Sequence, residues 1–118
     1  MNENALKDKS YKFSIRIVRL AQYLQSEKKE FVLSKQVLRS GTAIGALIRE
    51  GEFGQSKLDF INKMSISLKE ANETDYWLSL LYDTDYIDER SKVSMQNECK
   101  ELIAVLVASV KTSKQNLK

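Results

Sequence analysis

The chain has 118 residues, which is enough for about one domain with one modest hydrophobic core. Hydrophobic residues make up 42% of it and charged residues 30%, while proline is absent and glycine occurs four times, so we expect a globular helical protein. The net charge of +3 is compatible with nucleic acid, although an ordinary surface also carries such an excess. Because there is no histidine and only one cysteine, Ser–His and Cys–His catalytic pairs and the usual zinc ligand sets are excluded.

The first predicted helix runs from about Lys9 to Lys28. Its apolar residues recur every three or four positions and define one buried face: Leu6, Phe13, Ile17, Leu20, Ala21 and Leu24. Four cations share that spacing on a neighbouring arc and form a basic stripe: Lys9, Lys12, Arg16 and Arg19. Ile15 and Val18 lie on a third arc, where they either contact a second neighbour, such as another copy of the chain, or are scattered surface aliphatics.

The second predicted helix begins at Ser34, whose hydroxyl is expected to cap it, and ends in the segment Gly51 to Gly54. Its apolar stripe contains little bulk: Val37, Gly41, Ile44 and Ile48. Glycine in a helix interior costs about 1 kcal/mol relative to alanine. Gly41 and Gly45 therefore predict that another helix backbone approaches this face closely; the alternative is local tolerance of glycine.

The third predicted helix opens with Ser56 and Asp59, which have the spacing of a capping box, and continues to about Asp83. Its apolar residues follow the helical period: Leu58, Ile61, Met64, Leu68, Ala71 and Leu78. Bulky residues crowd its second half on all sides: Tyr76, Trp77, Leu80, Leu81 and Tyr82. Such bulk predicts burial on more than one side of the helix.

The fourth predicted helix follows Asp88, the expected N-cap, and extends to about Lys114. Its inward face contains Met95, Cys99, Leu102, Leu106 and Val110, and Ile103 and Val107 widen it. Four helices of this length with short connections predict one all-α domain over residues 1–118, an antiparallel up-down-up-down, left-handed four-helix bundle.

Targeting and membrane signals are not recognised in the chain. The N-terminal residues contain no apolar core for a signal peptide, and the longest apolar run, Leu102 to Ala108, is far shorter than the ~20 residues of a membrane helix. The lone Cys99 has no partner in the chain for a disulfide, which favours a reducing compartment. We therefore expect a cytoplasmic protein without membrane contact.

Two motifs in the second and third predicted helices carry a family resemblance. They are Arg39-Ser-Gly-Thr-Ala-Ile-Gly45, followed by Glu50, and Lys69-Glu-Ala-Asn-Glu-Thr-Asp-Tyr-Trp-Leu78. Together they resemble the signature of the small four-helix-bundle proteins encoded in intervening sequences of bacterial 23S rRNA genes, and the similarity extends over about residues 10–110. The resemblance implies a bacterial protein whose antiparallel bundle assembles into a homopentameric ring.

The resemblance also implies kinship with the accessory variability determinant of diversity-generating retroelements, a basic pentameric barrel that binds a reverse transcriptase and nucleic acid. It implies no biochemical activity for the family at large. The family pattern often has an asparagine two residues after the second glycine and a small residue before the glutamate, whereas this chain has Leu47 and Arg49 there. A function that depends on that asparagine is therefore not carried over.

Catalysis is not expected. Di-iron bundles use glutamates with Glu-x-x-His pairs, and although Glu70 and Glu73 have the carboxylate spacing, no histidine completes the site. The glycines of the second helix are not followed by the Gly-Lys-Ser/Thr of a phosphate-binding loop. Cys99 lies on an apolar stripe, where a small buried residue is typical. We expect no catalytic residue, cofactor or metal, with an all-carboxylate magnesium site as the alternative left open.

Charged residues of the second and third helices are predicted to form a structural polar cluster: Arg39, Arg49, Glu50, Glu70 and Glu73. Acids in a largely apolar helix must be paired or exposed, so we expect Arg39 or Arg49 to reach Glu70 or Glu73. A buried pair would fix the register of the helices, since breaking it costs ~3–5 kcal/mol. The alternative is solvent-facing acids with partners on their own helix, such as Lys69 with Glu73.

The basic stripe is the candidate nucleic-acid-binding surface. Phosphates bind closely spaced cations, and a fivefold ring would repeat the stripe five times. No base-reading motif accompanies it, so binding would tolerate sequence and weaken with salt. The alternatives are simple solvation of the stripe and a scaffold ring that recruits a protein partner through exposed aromatic residues such as Tyr23, Phe31 or Tyr86. Candidate contacts between subunits are Ile15, Val18, Tyr76 and Trp77.

Overall fold

Four α-helices make up the regular structure of the chain. The computed structural model describes residues 3–117 and contains no strand within that range. The helices are α1 (Glu3–Ser26), α2 (Leu33–Glu52), α3 (Lys57–Asp83) and α4 (Glu89–Gln115). The prediction of an all-α four-helix fold is confirmed, and the outermost residues of the predicted domain, 1, 2 and 118, lie outside the described range. No helix among residues 3–117 is long and apolar enough to cross a bilayer.

The first helix is longer than predicted at its start. It begins six residues before Lys9 because the apolar face continues one turn further, where Leu6 is buried. At its other end Lys29 adopts a left-handed conformation with φ of 54° and turns the chain toward α2. The predicted end at Lys28 was therefore two residues late.

The helices pack around one core, and their neighbours are specific. Within the described residues, α1 and α3 each pack against both α2 and α4, whereas no Cα atoms of α1 and α3, or of α2 and α4, lie within 8 Å of each other. The predicted inward faces meet at the centre, from Phe13 in α1 to Leu106 in α4. The contact of α1 with α4 is the least extensive of the four. α1 and α3 therefore occupy opposite corners of the bundle, and the side between α1 and α4 is the most open one.

The glycines of α2 face α1, and the predicted close approach of a helix backbone is found at Gly45, whereas Gly41 is met by a side chain. A methyl group at Gly41 would lie 2.7–2.8 Å from three carbon atoms of the fully buried Ile17. At Gly45 it would meet the Ser10 hydroxyl at 3.3 Å and the Ser10 carbonyl at 3.4 Å. Both glycines thus permit close packing, and Gly41 leaves no room for any side chain.

Buried hydroxyls join α2 to α3. Thr74 Oγ1 donates to Ser40 Oγ at 2.9 Å, and Ser67 Oγ donates to the Ile44 carbonyl at 2.9 Å. Residue numbers rise along α2 as they fall along α3 in these pairs. The bonds satisfy polar groups that would otherwise be costly inside the core.

Two of the three predicted helix caps are confirmed. Ser56 Oγ accepts from Asp59 N–H at 3.0 Å, and Asp88 Oδ1 accepts from Ser91 N–H at 2.8 Å. The bond from Ser91 also lowers the pKa of the Asp88 carboxyl below its ordinary value. These caps place the starts of α3 and α4 where the sequence predicted them.

The predicted cap at Ser34 is wrong. The Ser34 hydroxyl donates to the Glu30 carbonyl at 2.9 Å, while the Glu30 carboxylate accepts from the N–H groups of Val32 and Ser34. Partial burial raises the pKa of Glu30, but hydrogen bonds from the N–H groups of Leu33, Ser34 and Val32 outweigh it and hold the pKa below its ordinary value. Glu30 therefore supplies the acceptors at the start of α2.

Two predicted core positions are wrong for the single chain. Leu58 is exposed because it lies in the first turn of α3, after α2 has ended. Val107 lies at the edge of the inward face of α4 and is also exposed. Tyr76 is 59% exposed, whereas Trp77 and Tyr82 of the same crowded stretch pack against the core.

Candidate interaction surfaces

The outer side of α1 presents an apolar row to solvent. Tyr11, Ile15 and Val18 are all exposed and share one face of the helix at spacings of four and three. Lys12 and Arg19 flank them, and neither lies within ion-pair distance of an acid among residues 3–117. We call these five residues the α1 face. It combines apolar area with two cations that the chain's own acids do not neutralise.

The other two cations of the predicted basic stripe turn toward α4. Lys9 forms an ion pair with Glu101, and Arg16 forms one with Glu98. Together with Lys12 these residues line a cleft of about 350 Å³ between α1 and α4. The stripe is therefore split, since half of its charge is neutralised by acids of the neighbouring helix.

A second cavity of about 300 Å³ between α1 and the start of α4 shares Arg16 with this cleft. Its lining includes Leu20, Ile87 and Met95, all of which are buried. Arg19 and Asp88 also line it, so charges of both signs border this cavity. A surface of this mixed composition is less suited to a phosphate backbone than a continuous row of free cations would be.

The polar cluster forms around Arg39. Its guanidinium donates to Glu70 Oε2 at 3.0 Å and pairs with Glu73, so it links α2 to α3. The Trp77 indole N–H donates to the same Glu73 carboxylate at 2.9 Å. The Arg39 side chain is 51% exposed and that of Glu70 only 14%, so the cluster is half-buried and not the buried pair that was expected. Breaking it should accordingly cost less than a fully buried pair.

Arg49 and Glu50 lie outside this cluster. Glu50 faces Lys63 of α3 at 3.6 Å, and both side chains reach solvent. Arg49 borders a shallow depression between α1 and α2 whose base contains Ser14 and Gly45. The structure thus brings together three of the five residues predicted as a polar cluster and separates the other two from them.

The outer side of α3 is acidic and aromatic. The Tyr76 ring packs edge-on against Trp77, with centroids 5.0 Å apart and an interplanar angle of 71°. Between Glu70 and Asp83, α3 contains four acidic residues and no basic one. We call Glu70, Glu73, Tyr76 and Trp77 the α3 face.

The thiol of Cys99 is fully buried. Its sulfur donates to the Ala71 carbonyl at 3.2 Å, and burial together with the Asp75 charge raises its pKa to about 12. One carboxylate oxygen of Asp75 is buried there without a hydrogen-bond partner among the described residues. Among residues 3–117, no three cysteine or carboxylate side chains form a group that could hold a metal ion.

Gln96 is a buried polar residue that the apolar periodicity of α4 does not predict. Its amide donates to Ser79 Oγ at 2.8 Å and to the Asp75 carbonyl at 3.3 Å, which joins α4 to α3. Its position three residues before Cys99, on the inward arc of the helix, was the available signal.

Residues 2–108 of the chain match the family described as 23S rRNA-intervening sequence protein. The chain belongs to this family. A solved structure of a protein of unknown function from the S23 ribosomal protein family, from Bacteroides thetaiotaomicron VPI-5482, is 54% identical to it with a TM-score of 0.92. That match covers 94% of this chain and 99% of the other, so the four-helix fold agrees over nearly the whole length.

The residues that suggested the 23S rRNA-intervening sequence family have structural roles in this chain. Gly41 and Gly45 admit α1 against α2, and Arg39 joins the α2 motif to Glu70 and Glu73 of the α3 motif. The two motifs therefore lie where neighbouring helices pack against each other. Solvent-facing residues beside these packing contacts, and not the motif residues themselves, are the candidates for interaction.

Proposed function

We propose that this protein is a non-enzymatic scaffold that works as an assembly of identical copies, and that the α1 face is one of the surfaces through which the copies meet. A homopentameric ring is the assembly that the family resemblance implies. The observation that carries the proposal is the exposed row of Tyr11, Ile15 and Val18 on one side of a helix whose opposite side already fills the core. Contiguous apolar surface of this kind is typical of protein contacts.

A non-enzymatic role is supported by the chemistry of the side chains. The chain has no histidine, and its one thiol is buried with a pKa of about 12. The paired carboxylates Glu70 and Glu73 both contact Arg39, which balances one of their two charges and occupies an oxygen of each. Neither the Cys99 thiol nor this pair of carboxylates is therefore free to act as a nucleophile or to bind a metal ion.

The test is the mass of the assembly in solution, measured by light scattering on the unaltered chain and on Val18→Glu. A buried charge without a partner disrupts a protein contact, so Val18→Glu should lower the mass. The matched control is Val93→Glu, which makes the same change at a similarly exposed position on α4. Unaltered protein that is monomeric at every concentration would end the proposal, as would an equal loss of mass in both variants. Circular dichroism checks that each variant keeps its helices.

RNA or DNA binding is the second candidate function. It is favoured by Lys12 and Arg19, which have no acidic partner among the described residues, and by α4 beyond Glu101, where Lys111 and Lys114 are exposed and the sequence contains no acid. With Lys9 and Arg16 neutralised, each copy offers the phosphates fewer free cations than the whole stripe would. The dependence of affinity on salt should be correspondingly shallow.

Binding to total RNA across a salt series tests this second function. Lys12→Gln/Arg19→Gln should weaken binding and flatten the salt dependence, whereas Lys35→Gln/Lys57→Gln removes the same charge elsewhere and should do neither. Affinity that stays unchanged when all four cations of the stripe become glutamine would exclude it.

Recruitment of a protein partner remains part of the proposed scaffold function. Of the three aromatic candidates, Tyr23 and Phe31 are exposed, while Tyr86 packs against the core. A pulldown from lysate in which one protein is retained in stoichiometric amount, and is lost with Phe31→Ser, would support recruitment. Retention of RNA that leaves in high salt would support the second function in its place.

We also propose three properties that accompany this function. The bundle is the up-down-up-down form, which is supported by the opposite residue order of the contacts of α1 with α2, α2 with α3 and α3 with α4, and it is left-handed, as is usual for such bundles. The setting is the cytoplasm, supported by the single unpaired thiol. Kinship with the accessory variability determinant of diversity-generating retroelements rests on the two sequence motifs.

A further inference from the structure

A depression of about 300 Å³ lies between α1 and α2 on the surface of the bundle. The side chains that line it include two cations, a tyrosine and two hydroxyl groups: Lys7, Arg49, Tyr11, Ser14 and Thr42. No acid among residues 3–117 lines this depression, whereas both cavities beside α4 contain at least one acid. The volume lies at the lower end of the range for small-molecule sites, and the charge of the lining favours an anionic ligand.

The two cations lie at the same end of the depression. α1 and α2 run in opposite directions, since Ile17 packs on Gly41 while Lys7 pairs with Glu52 at 3.2 Å. Lys7 and Arg49 are therefore both at the end nearest the turn between α2 and α3. Arg49 has no acid within ion-pair distance among residues 3–117. The Lys7 ammonium has three protons, so it can donate to an anion while it remains paired with Glu52.

The opposite end of the depression offers hydrogen-bond acceptors. The Thr42 hydroxyl donates to the Leu38 carbonyl at 2.7 Å, and the Ser14 hydroxyl donates to the Ser10 carbonyl at 3.0 Å. Because the protons of both hydroxyls are used within their own helices, a bound molecule meets their oxygen lone pairs. A ligand therefore needs a donor group at this end. From Lys7 to Ser14, α1 rises by about 10 Å at 1.5 Å per residue, which sets the separation of the two ends.

Tyr11 lies between the two ends on the α1 side. Its side chain is 58% exposed, so its ring offers apolar area to a ligand. Gly45 and Ala46 line the α2 side at this height and leave room beside the ring, because neither has a large side chain. Nucleobases stack on tyrosine rings, and such stacking tolerates any base. The middle of the depression is therefore suited to the planar part of a nucleotide.

We infer that this depression binds a nucleoside monophosphate with an amino group on its base, such as adenosine monophosphate. Arg49 and Lys7 hold the phosphate, whose charge of about −1.5 to −2 at pH 7 suits two cations better than the single charge of a carboxylate would. The base lies along Tyr11, and its amino group donates to the hydroxyl oxygens of Ser14 and Thr42. The same chemistry is present at the 5′-phosphorylated end of an RNA strand.

This binding site goes beyond the proposed function and depends on neither the assembly nor the basic stripe. None of the four cations of the stripe lines the depression. Tyr11 is the one residue that the depression shares with the α1 face, so binding is measured on the full chain in its natural state of assembly.

Isothermal titration calorimetry of the unaltered chain with adenosine monophosphate tests the inference. We expect one saturable site per chain, with weaker binding of adenosine, of inorganic phosphate and of inosine monophosphate, which has a carbonyl in place of the amino group. Arg49→Gln should weaken the binding of adenosine monophosphate about tenfold or more, because it removes hydrogen bonds from a charged donor. The matched control is Arg90→Gln, which makes the same change at an exposed position at the start of α4 and should leave the affinity unchanged.

A second variant tests the space in the depression and not its charge. Ala46→Leu fills the depression from an exposed position of α2, keeps both cations and should abolish binding. Circular dichroism checks that each variant keeps its helices. Absence of binding to the unaltered chain at up to about 1 mM adenosine monophosphate would overturn the inference. Equal losses in Arg49→Gln and Arg90→Gln would overturn it too, as would equal affinities for adenosine monophosphate and either inorganic phosphate or inosine monophosphate.

Two RNA oligomers distinguish the sources of the ligand. Preference for an oligomer with a 5′-phosphate over the same oligomer with a 5′-hydroxyl, lost in Arg49→Gln, would identify the end of an RNA strand. Equal binding of the two oligomers, with adenosine monophosphate still bound, would identify the free nucleotide. Lys12→Gln/Arg19→Gln should leave the affinity for adenosine monophosphate unchanged, which separates this site from the basic stripe. A monomeric chain that binds adenosine monophosphate would end the proposed assembly alone, and an assembled chain that does not bind it would end this inference alone.

Discussion

The contact between Gly41 and Ile17 gives the most specific prediction about stability. In Gly41→Ala the new methyl group would lie 2.7–2.8 Å from three carbons of a fully buried side chain, so α1 and α2 must move apart. Overpacking costs about 1–3 kcal/mol, and the contact is severe enough to place it in the upper part of that range. The better helix propensity of alanine offsets about 1 kcal/mol of this cost.

We therefore expect Gly41→Ala to lower the free energy of unfolding by about 1–2 kcal/mol. For a chain of this length that corresponds to a loss of about 4 °C in Tm for each kcal/mol. The matched control is Gly45→Ala, whose methyl group meets the Ser10 hydroxyl at 3.3 Å. That contact needs only a small adjustment, so the gain in helix propensity should leave stability unchanged or raise it by up to about 1 kcal/mol.

Urea unfolding followed by circular dichroism at one protein concentration measures both variants, since assembly makes stability depend on concentration. The double variant Ile17→Ala/Gly41→Ala supplies a further check. Shortening Ile17 makes room for the methyl group, so the two changes together should cost less than the sum of the single changes. Equal stability of Gly41→Ala and Gly45→Ala, or full additivity in the double variant, would refute the close-packing argument.

Three further predictions concern single side chains. Cys99 should resist a thiol reagent at neutral pH until urea unfolds the protein, because its pKa is about 12; rapid labelling of the folded chain would contradict its burial. Arg39→Gln should lower the unfolding free energy by about 1 kcal/mol because Glu70 loses the cation that pairs with it. Lys63→Gln removes an exposed ion pair and should change the unfolding free energy little. Equal effects of the two variants would contradict the stabilising role of the Arg39 cluster. The pKa of Glu30 in the folded state is below 4.5, so the stability that this residue contributes is present above pH 4.5 and is lost as the pH falls through the folded-state pKa. The difference in unfolding free energy between the unaltered chain and Glu30→Gln should therefore shrink on acidification. A difference that grows would contradict the role of Glu30 as the acceptor at the start of α2.

Helical periodicity predicted the core well because burial follows directly from which face a residue occupies. Phe13, Ile44, Leu78 and Leu106 all lie where the pattern placed them. The period fails at helix ends, and Leu58 shows why: it has the right phase but lies beyond the end of its neighbour. The position of a residue in the helical period determines the direction in which its side chain points. Burial also requires that another helix packs at that height.

Polar contacts were harder to predict from the chain because they depend on which helix is the neighbour. The basic stripe was read from α1 alone, and nothing local to α1 showed that Glu98 and Glu101 would pair with Arg16 and Lys9. Glu30 was missed for a related reason: its side chain acts on backbone groups of the following helix, while Ser34 has the residue type that usually does so. The ion pairs of Arg39 with the acids of α3 could be predicted because the arginine and the acids all belong to the two family motifs.

Native mass spectrometry of the unaltered chain tests the central claim most directly. One chain has a mass of 13.6 kDa, and the proposed assembly predicts a dominant species at about five times that mass, consistent with one closed ring. A species of 13.6 kDa that persists at every concentration would contradict the proposal that this protein works as an assembly of its own copies.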